Sequence, residues 1–238
     1  MANLRITRLG HAGVLYRSPE DVWIWVDRWT GAPNYADAYR TPEKVSVVAP
    51  THCHFDHVGD DCVDLIELAS VDQAATIGSH EMSVFLGARG IEAIGMNKGG
   101  TVEAAGIRFT MTHADHTGGA TLGSGADQVT RDFGCWGWVI EFEDGTTVYH
   151  SGDTDLFGDM RLVRERHNPE IAVLPIGGHY TMGPRDAAMA LDLIGASMVI
   201  PVHYATFPIL AGTPEELGEQ TSAEVVTLEP GETWEAQP

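Results

Sequence analysis

The sequence predicts a layered α/β domain. Short apolar and β-branched runs typical of strands occur early and late in the chain, and segments with helical periodicity stand between them. No Pro/Ser-rich linker, low-complexity tract or internal repeat interrupts the 238 residues, and 43% of them are hydrophobic. A chain of this length and composition can bury a large core, so we expect one layered domain over residues 1–238.

Strands dominate the first quarter of the chain. They are predicted at residues 4–7, 14–16, 22–26 and 45–49. Glycine, proline and asparagine supply the turns between these segments, at Gly10 and in the stretches 18–21 and 31–34. A helix is predicted at 61–70, where apolar residues recur and acidic residues stand at the start.

Farther along the chain, more strands accompany a second predicted helix. The strands are expected at residues 76–77, 107–112, 136–142, 147–150, 171–175 and 198–202. The helix covers 185–194, because Pro184 stands in its first turn and Gly195 lies just past its end.

Acidic residues dominate the charge of the chain. The 34 Asp and Glu residues stand against 14 Lys and Arg, a formal net charge of −20. A surface of that sign repels phosphate backbones and anionic membranes, so binding to nucleic acid and to membranes is disfavoured. The odd cysteine count of 3, without a Cys-x-x-Cys pair, and the lack of an apolar signal segment favour a cytoplasmic protein. A homo-oligomer is compatible with these features.

One segment carries a concentration of metal-binding side chains just after an apolar strand, the run THCHFDHVGD at residues 51–60. In an extended chain His52 and His54 point the same way, so both can hold one ion. Asp56 and His57 lie past a bend and can reach a second ion. For a lone histidine a backbone-capping role would be the better interpretation, whereas the spacing His-x-His-x-Asp-His favours metal binding. Imidazole and carboxylate together suit zinc, iron or manganese.

The motif, followed by glycine, resembles the signature of the metallo-β-lactamase superfamily. The resemblance extends in order through RLGHAGVLY, WVDRW, HSGDTDLFGDM, LPIGGHYTMGP and VIPVHYATFP, which are similar to UPF0173 and ascorbate-6-phosphate-lactonase-like hydrolases. It covers essentially the whole chain. It implies that the α/β domain is a four-layer αββα sandwich and that the protein is a metal-dependent hydrolase.

The resemblance also implies a ligand set for two divalent metal ions, with Zn²⁺ expected and Mn²⁺ or Fe²⁺ as alternatives. The first ion would be held by His52, His54 and His113, and the second by Asp56, His57 and His203, with Asp153 bridging them. The sequence supports the last two residues independently. Asp153 and His203 each follow a predicted strand, and strand ends of a sandwich converge.

The third histidine of the first ion is open to two interpretations, because His113 and His116 both follow the strand at 107–112. His113 is favoured, since it comes directly after the strand and should be held more rigidly.

Other residues are candidates for supporting roles. Asp27, at the end of a predicted strand, resembles the family's aspartate that hydrogen-bonds near the metal-ligand loop. His11 and His179 lie on glycine-flanked loops, where they either line the metal cleft and touch substrate or serve the structure of the loop. The predicted catalytic residues are Asp56, Asp153 and His179, with the aspartates accepting a proton as the intermediate collapses.

The expected reaction is hydrolysis of a small molecule. Two cations sharing a water would lower the pKa of that water toward about 7, which supplies a metal-bound hydroxide to attack an ester, lactone, amide or phosphodiester bond. A diiron redox enzyme would prefer glutamate where His54 stands. An RNase Z-like phosphodiesterase would need a basic RNA-docking arm that this chain lacks. A non-catalytic metal-binding or regulatory module should have lost a ligand, whereas here every position is filled.

Overall fold

In the computed structural model, which describes residues 3–237, two seven-stranded β-sheets pack face to face. The strands are β1 (Arg5–Gly10), β2 (Gly13–Arg17), β3 (Trp23–Val26), β4 (Val47–Val48), β5 (Ala75–Ser79), β6 (Ile94–Met96), β7 (Thr101–Ala104), β8 (Ile107–His113), β9 (Gly119–Leu122), β10 (Val129–Asp132), β11 (Trp136–Glu141), β12 (Thr147–His150), β13 (Ile171–Pro175), β14 (Met198–Val202), β15 (Glu224–Val225) and β16 (Thr233–Glu235). The helices are α1 (Phe55–Val58), α2 (Val63–Ala69), α3 (His80–Gly87), α4 (Arg161–His167), α5 (Pro184–Ile194) and α6 (Pro214–Gly218).

The order of the strands brings many carboxyl ends to the same edge. The first sheet runs β16-β1-β2-β3-β4-β5-β6 and the second β15-β14-β13-β12-β11-β8-β7, while β9 and β10 form a separate hairpin. Strands β3 to β6 are parallel, and so are β12 to β15. Two antiparallel steps make β1 parallel to β3, and two more make β8 parallel to β12. The chain therefore leaves β1, β3 and β4 at one edge of the first sheet, and β8, β12 and β14 at one edge of the second.

Side-chain alternation along β11 shows how the layers are stacked. Trp138 and Ile140 belong to the apolar cluster that also contains Tyr16 of the first sheet. Val139, between them, belongs to a second cluster with Leu191 of α5. Helix α5 thus covers the outer face of the second sheet, while α2 and α3 lie against β4 and β5 of the first. The four-layer αββα arrangement is confirmed.

Most predicted elements are present with close bounds. Strands β12, β13 and β14 have the predicted bounds, and α5 begins at Pro184 and ends at a left-handed Gly195, with φ of 74°. Helix α2 begins at Val63 rather than 61, because Asp61 and Cys62 have φ of 55° and 60° and cannot continue a right-handed helix. The sequence did not predict α3, α4, α6 or the β9–β10 hairpin. Within residues 3–237, no helix combines the length and the apolar content needed to cross a bilayer.

Trp138 connects the second sheet to the end of β4. Its indole Nε1 donates to the carbonyl oxygens of Ala49 at 3.1 Å and Pro50 at 3.0 Å, directly before the histidine-rich segment. The neighbouring Trp136 is also buried, but its Nε1 has no hydrogen-bond partner within residues 3–237. The two tryptophans thus share burial and differ in hydrogen bonding.

We expect Trp138→Phe to lower the free energy of unfolding more than Trp136→Phe does. Both changes remove a similar buried volume, but only the first takes a donor away from two buried carbonyl groups, a difference of about 1–3 kcal/mol. Urea denaturation of both variants beside the parent protein measures the difference. Equal losses would show that the indole–carbonyl contacts do not hold β4 against the second sheet.

Candidate metal centre

The candidate site lies where the carboxyl ends of parallel strands from the two sheets meet. Loops that follow β1, β3, β4, β8, β12 and β14 each contribute to it. The contributing side chains are His11, Asp27, His52, His54, Asp56, His57, His116, Asp153 and His203. Strand ends on a rigid sandwich are a common location for functional side chains, because the scaffold fixes the loops that carry them.

Three imidazoles form the first group of the site. The potential ligand atoms of His52, His54 and His116 all lie within 4.8 Å of one another. His52 Nε2 and His54 Nδ1 are 3.0 Å apart. His54 has extended backbone angles, φ −64° and ψ 151°, so its side chain shares a side with His52 as strand alternation predicts.

A second group lies beside the first. The potential ligand atoms of His11, Asp56, His57 and His203 are also within 4.8 Å of one another. Asp56 and His57 are carried by the single turn of helix α1, which turns the chain away from the direction of His52 and His54. The Nε2 atom of His203 is 3.7 Å from Asp56 Oδ2.

Asp153 lies between the two groups. Its Oδ2 atom is 3.1 Å from His203 Nε2 and 3.3 Å from His57 Nε2. On the other side it is 3.6 Å from His116 Nε2 and 4.0 Å from His52 Nε2. One carboxylate oxygen is thus within reach of both groups.

Two nitrogens beside this oxygen are left unpaired. His57 Nε2 and His203 Nε2 are buried and have no hydrogen-bond partner within residues 3–237. They lie 3.3 Å and 3.1 Å from Asp153 Oδ2 without making a hydrogen bond to it. A buried polar atom without a partner costs about 1–3 kcal/mol. A divalent cation among these imidazole and carboxylate donors would satisfy them, so the residues present fit such an ion.

The electrostatics of the cluster favour a cation. Burial alone would raise the pKa of Asp153, but His203 and His57 hold it well below its usual range. Burial likewise opposes charge on His57 and His203. The nearby Asp153 carboxylate nevertheless raises the pKa of His57 well above its usual value and that of His203 to about 9. The Asp153 carboxylate therefore stays ionised and draws positive charge into the cluster.

Asp27 and Thr51 hold the first residues of the cluster in place. Asp27 Oδ1 accepts a hydrogen bond from Thr51 N at 2.7 Å, and Oδ2 accepts from Thr51 Oγ1 at 2.6 Å. His57 Nδ1 donates to Asp27 Oδ2 at 2.9 Å, which places the proton on Nδ1 and leaves Nε2 facing the cluster. A Cβ atom on Gly152 would lie 2.6 Å from Thr51 Cβ, so only glycine lets the Asp153 loop approach so closely.

His11 is an internal part of the site. Its Nε2 donates to Asp56 Oδ2 at 3.2 Å, and its Nδ1 lies 2.9 Å from Thr206 Oγ1. The backbone N–H of His11 donates to Asn34 Oδ1, and its carbonyl accepts from His203 N at 3.1 Å. Burial lowers the pKa of His11 to about 4. His11 is thus buried beside Asp56, with a partner for each of its ring nitrogens.

His113, which the sequence favoured as the third ligand of the first ion, lies outside the cluster, whereas His116 lies inside it. As the last residue of β8, His113 pairs with Trp136, and its exposed ring packs 4.7 Å from Phe157, beside Lys98. The rigidity of the strand therefore holds this side chain outside the site. The chain has to continue past the strand end before His116 can turn inward.

His179 is also outside the cluster. It is exposed on the loop after β13, and its ring packs against Tyr180 at 4.4 Å. No hydrogen bond or ion pair joins it to the cluster in the part of the chain that the structure describes. His150 is buried 2.7 Å from the Tyr16 hydroxyl, behind the loop that carries Asp153.

Comparison with known sequences identifies the family of the chain. The family model described as "Beta-lactamase superfamily domain" matches residues 22–204. A UPF0173 metal-dependent hydrolase from Herpetosiphon aurantiacus is 42% identical over 98% of this chain and 98% of the relative. One from Koribacter versatilis is 40% identical over 98% of this chain and 99% of the relative.

Solved structures have the same fold. A metallo hydrolase from the archaeon Ignicoccus hospitalis has a TM-score of 0.83 and 33% identity, with 99% of each chain covered. A metallo-β-lactamase fold protein from Bacillus subtilis has a TM-score of 0.72 and 18% identity, covering 98% of this chain and 100% of the other, and supports the fold alone. The chain therefore belongs to the UPF0173 metal-dependent hydrolases of the metallo-β-lactamase superfamily.

Proposed function

We propose that this protein is a single-domain, dinuclear metal hydrolase that cleaves an ester, lactone, amide or phosphodiester bond in a small molecule. The observation that carries the proposal is the position of Asp153 Oδ2, within 4.0 Å of imidazole nitrogens from both groups. A carboxylate in that position suits two cations that share a ligand.

The geometry supports a ligand set that differs from the family-based expectation at one position. His52, His54 and His116 would hold one cation, and Asp56, His57 and His203 the other, with Asp153 contacting both. Zinc suits these imidazole and carboxylate donors best, and manganese or iron(II) are alternatives. When bound, such cations lower the pKa of water and polarise a substrate oxygen.

The side chains around the cluster would orient and protonate the reactants. Asp56 is 14% exposed, against 4% for Asp153, so it is the carboxylate with more access to solvent. Burial would raise the pKa of Asp56, but His11 and His203 hold it well below its usual range, and it stays ionised. The ionised carboxylate would therefore accept a hydrogen bond from the attacking water and orient it, and any proton that it takes up would be released readily to the leaving group. The hydrogen bond from His11 Nε2 fixes the carboxylate in that position.

The net charge of −20 supports a small substrate, because a negative surface repels nucleic acids and other large polyanions. The similar proteins from Herpetosiphon aurantiacus and Koribacter versatilis are metal-dependent hydrolases by name, which supports hydrolysis over redox chemistry. So does His54, which stands where a diiron enzyme would prefer glutamate.

Asp153→Asn tests the shared carboxylate. The change keeps the size of the side chain and removes its charge. We expect the variant to bind fewer than two metal equivalents. Its activity should fall by more than about 100-fold, since loss of a residue that only hydrogen-bonds a metal ligand already costs about 10–100-fold. Elemental analysis after dialysis against zinc, with assays on chromogenic esters, a lactone and a phosphodiester, measures both effects.

Asp155→Asn is the matched control, because Asp155 lies on the same loop with its side chain exposed. It should keep two equivalents of metal and the activity of the parent. A fully loaded and active Asp153→Asn protein would contradict the bridging role. Tight metal binding by the parent without turnover of any substrate would instead favour a binding module over an enzyme.

The choice between two histidines is tested by His116→Ala and His113→Ala side by side. We expect His116→Ala to weaken zinc binding by more than about 10-fold, because its Nε2 faces the cluster, and His113→Ala to leave it unchanged. Zinc titration against a chelating indicator measures the two affinities. Greater weakening in His113→Ala would reverse the assignment.

A further inference from the structure

Three aromatic side chains from separate loops meet beside the metal cluster. Trp29 follows β3, Phe55 is the first residue of α1, and Phe207 follows β14. The ring centroids of Phe55 and Phe207 lie 5.5 Å and 5.9 Å from that of Trp29. We call these three side chains the aromatic wall.

The aromatic wall adjoins the Asp56 corner of the cluster. The ring of His11 lies 5.4 Å from that of Trp29 and 5.5 Å from that of Phe207. The same ring donates from Nε2 to Asp56 Oδ2 at 3.2 Å. A single imidazole thus separates the wall from a carboxylate of the proposed centre, and Phe55 is the sequence neighbour of that carboxylate.

Part of the aromatic wall is exposed to solvent, although its residues are apolar. Trp29 is only 9% exposed, but Phe55 is 46% exposed and Phe207 is partly buried. Ile209, on the same loop as Phe207, is another exposed apolar side chain, at 48%. Half-exposed aromatic surface gains little for folding, whereas apolar surface next to polar groups in a cleft is typical of ligand sites.

The opposite side of the cluster is polar. His54 Nε2 lies 3.4 Å from the hydroxyl of Thr117, and His116 is partly exposed beside it. The site therefore has an apolar flank at the Asp56 corner and a polar flank at the His54 corner. A substrate that suits it has an apolar group on one side of its reacting bond.

From this arrangement we infer that the aromatic wall binds an alkyl or aryl group of the substrate. The substrates are then apolar esters, lactones or amides, and highly polar or phosphorylated metabolites are disfavoured. This inference rests on the proposed function, since it places the reacting bond at the metal centre. Phe55 is the specificity-determining residue, because it is the most exposed of the three.

Binding of alkyl hydroxamates to the zinc-loaded protein tests the inference without turnover. The hydroxamate group is a bidentate ligand for divalent cations, and the chain can be lengthened from acetohydroxamate to octanohydroxamate. We expect the Kd, measured by calorimetry, to fall by up to about fourfold per methylene as the chain covers the wall. Phe55→Ala should flatten this dependence, and Phe55→Leu should restore most of it.

Val84→Ala is the control, because Val84 is an exposed apolar residue on α3, outside the wall. It should keep the chain-length dependence of the parent. A dependence that is flat in the parent, or equally steep in Phe55→Ala, would overturn the inference, as would the lack of binding of any hydroxamate.

A parallel series of p-nitrophenyl esters, from acetate to octanoate, separates this inference from the proposed function. Turnover of the esters, with a hydroxamate Kd that does not depend on chain length, would support the hydrolase and contradict substrate binding by the wall. Steep hydroxamate binding without turnover of these esters, or of a lactone, an amide and a phosphodiester assayed beside them, would show that the wall is a binding surface of a protein that is not a hydrolase.

Discussion

The site depends on the contacts between the Asp153 carboxylate and the imidazoles around it. It is 4% exposed, and removing a charge from water costs several kcal/mol unless partners compensate. Its partners come from both sheets: His52 and His57 follow β4, His116 follows β8, and His203 follows β14. The sandwich brings these strand ends to one edge, so that imidazoles from both sheets surround a single oxygen. The packing of the two sheets thus determines the surroundings of Asp153 Oδ2.

Several loop residues of the site have a backbone conformation with positive φ. His11, Asp27 and His203 have φ of 42°, 50° and 55°, a left-handed conformation that costs L-residues about 1–2 kcal/mol each. Hydrogen bonds compensate for this cost: Asp27 binds Thr51 and His57, and the His11 carbonyl accepts from the N–H of His203. The result is a cluster whose side chains are held in position by the scaffold. The aromatic wall depends on the same framework, because it packs against His11.

Sequence reasoning predicted the features that depend on local pattern. Apolar runs located most strands, Pro184 and Gly195 located α5, and the spacing of the histidine motif located the first part of the site. It missed features that depend on where a strand ends in space. His113 still pairs with β11 as the last residue of β8, whereas His116 lies past the strand end. The local sequence does not indicate where the pairing stops. The buried role of His11 and the meeting of three aromatic residues likewise arise from contacts between distant loops.

Anomalous diffraction at the zinc absorption edge, from crystals of the zinc-loaded protein, tests the central claim most directly. We expect two peaks about 3.5–4 Å apart, one beside His116 and the other beside His203, each about 2.0–2.2 Å from Asp153. A single peak, a peak bound by His113, or two peaks that do not share Asp153 would contradict it.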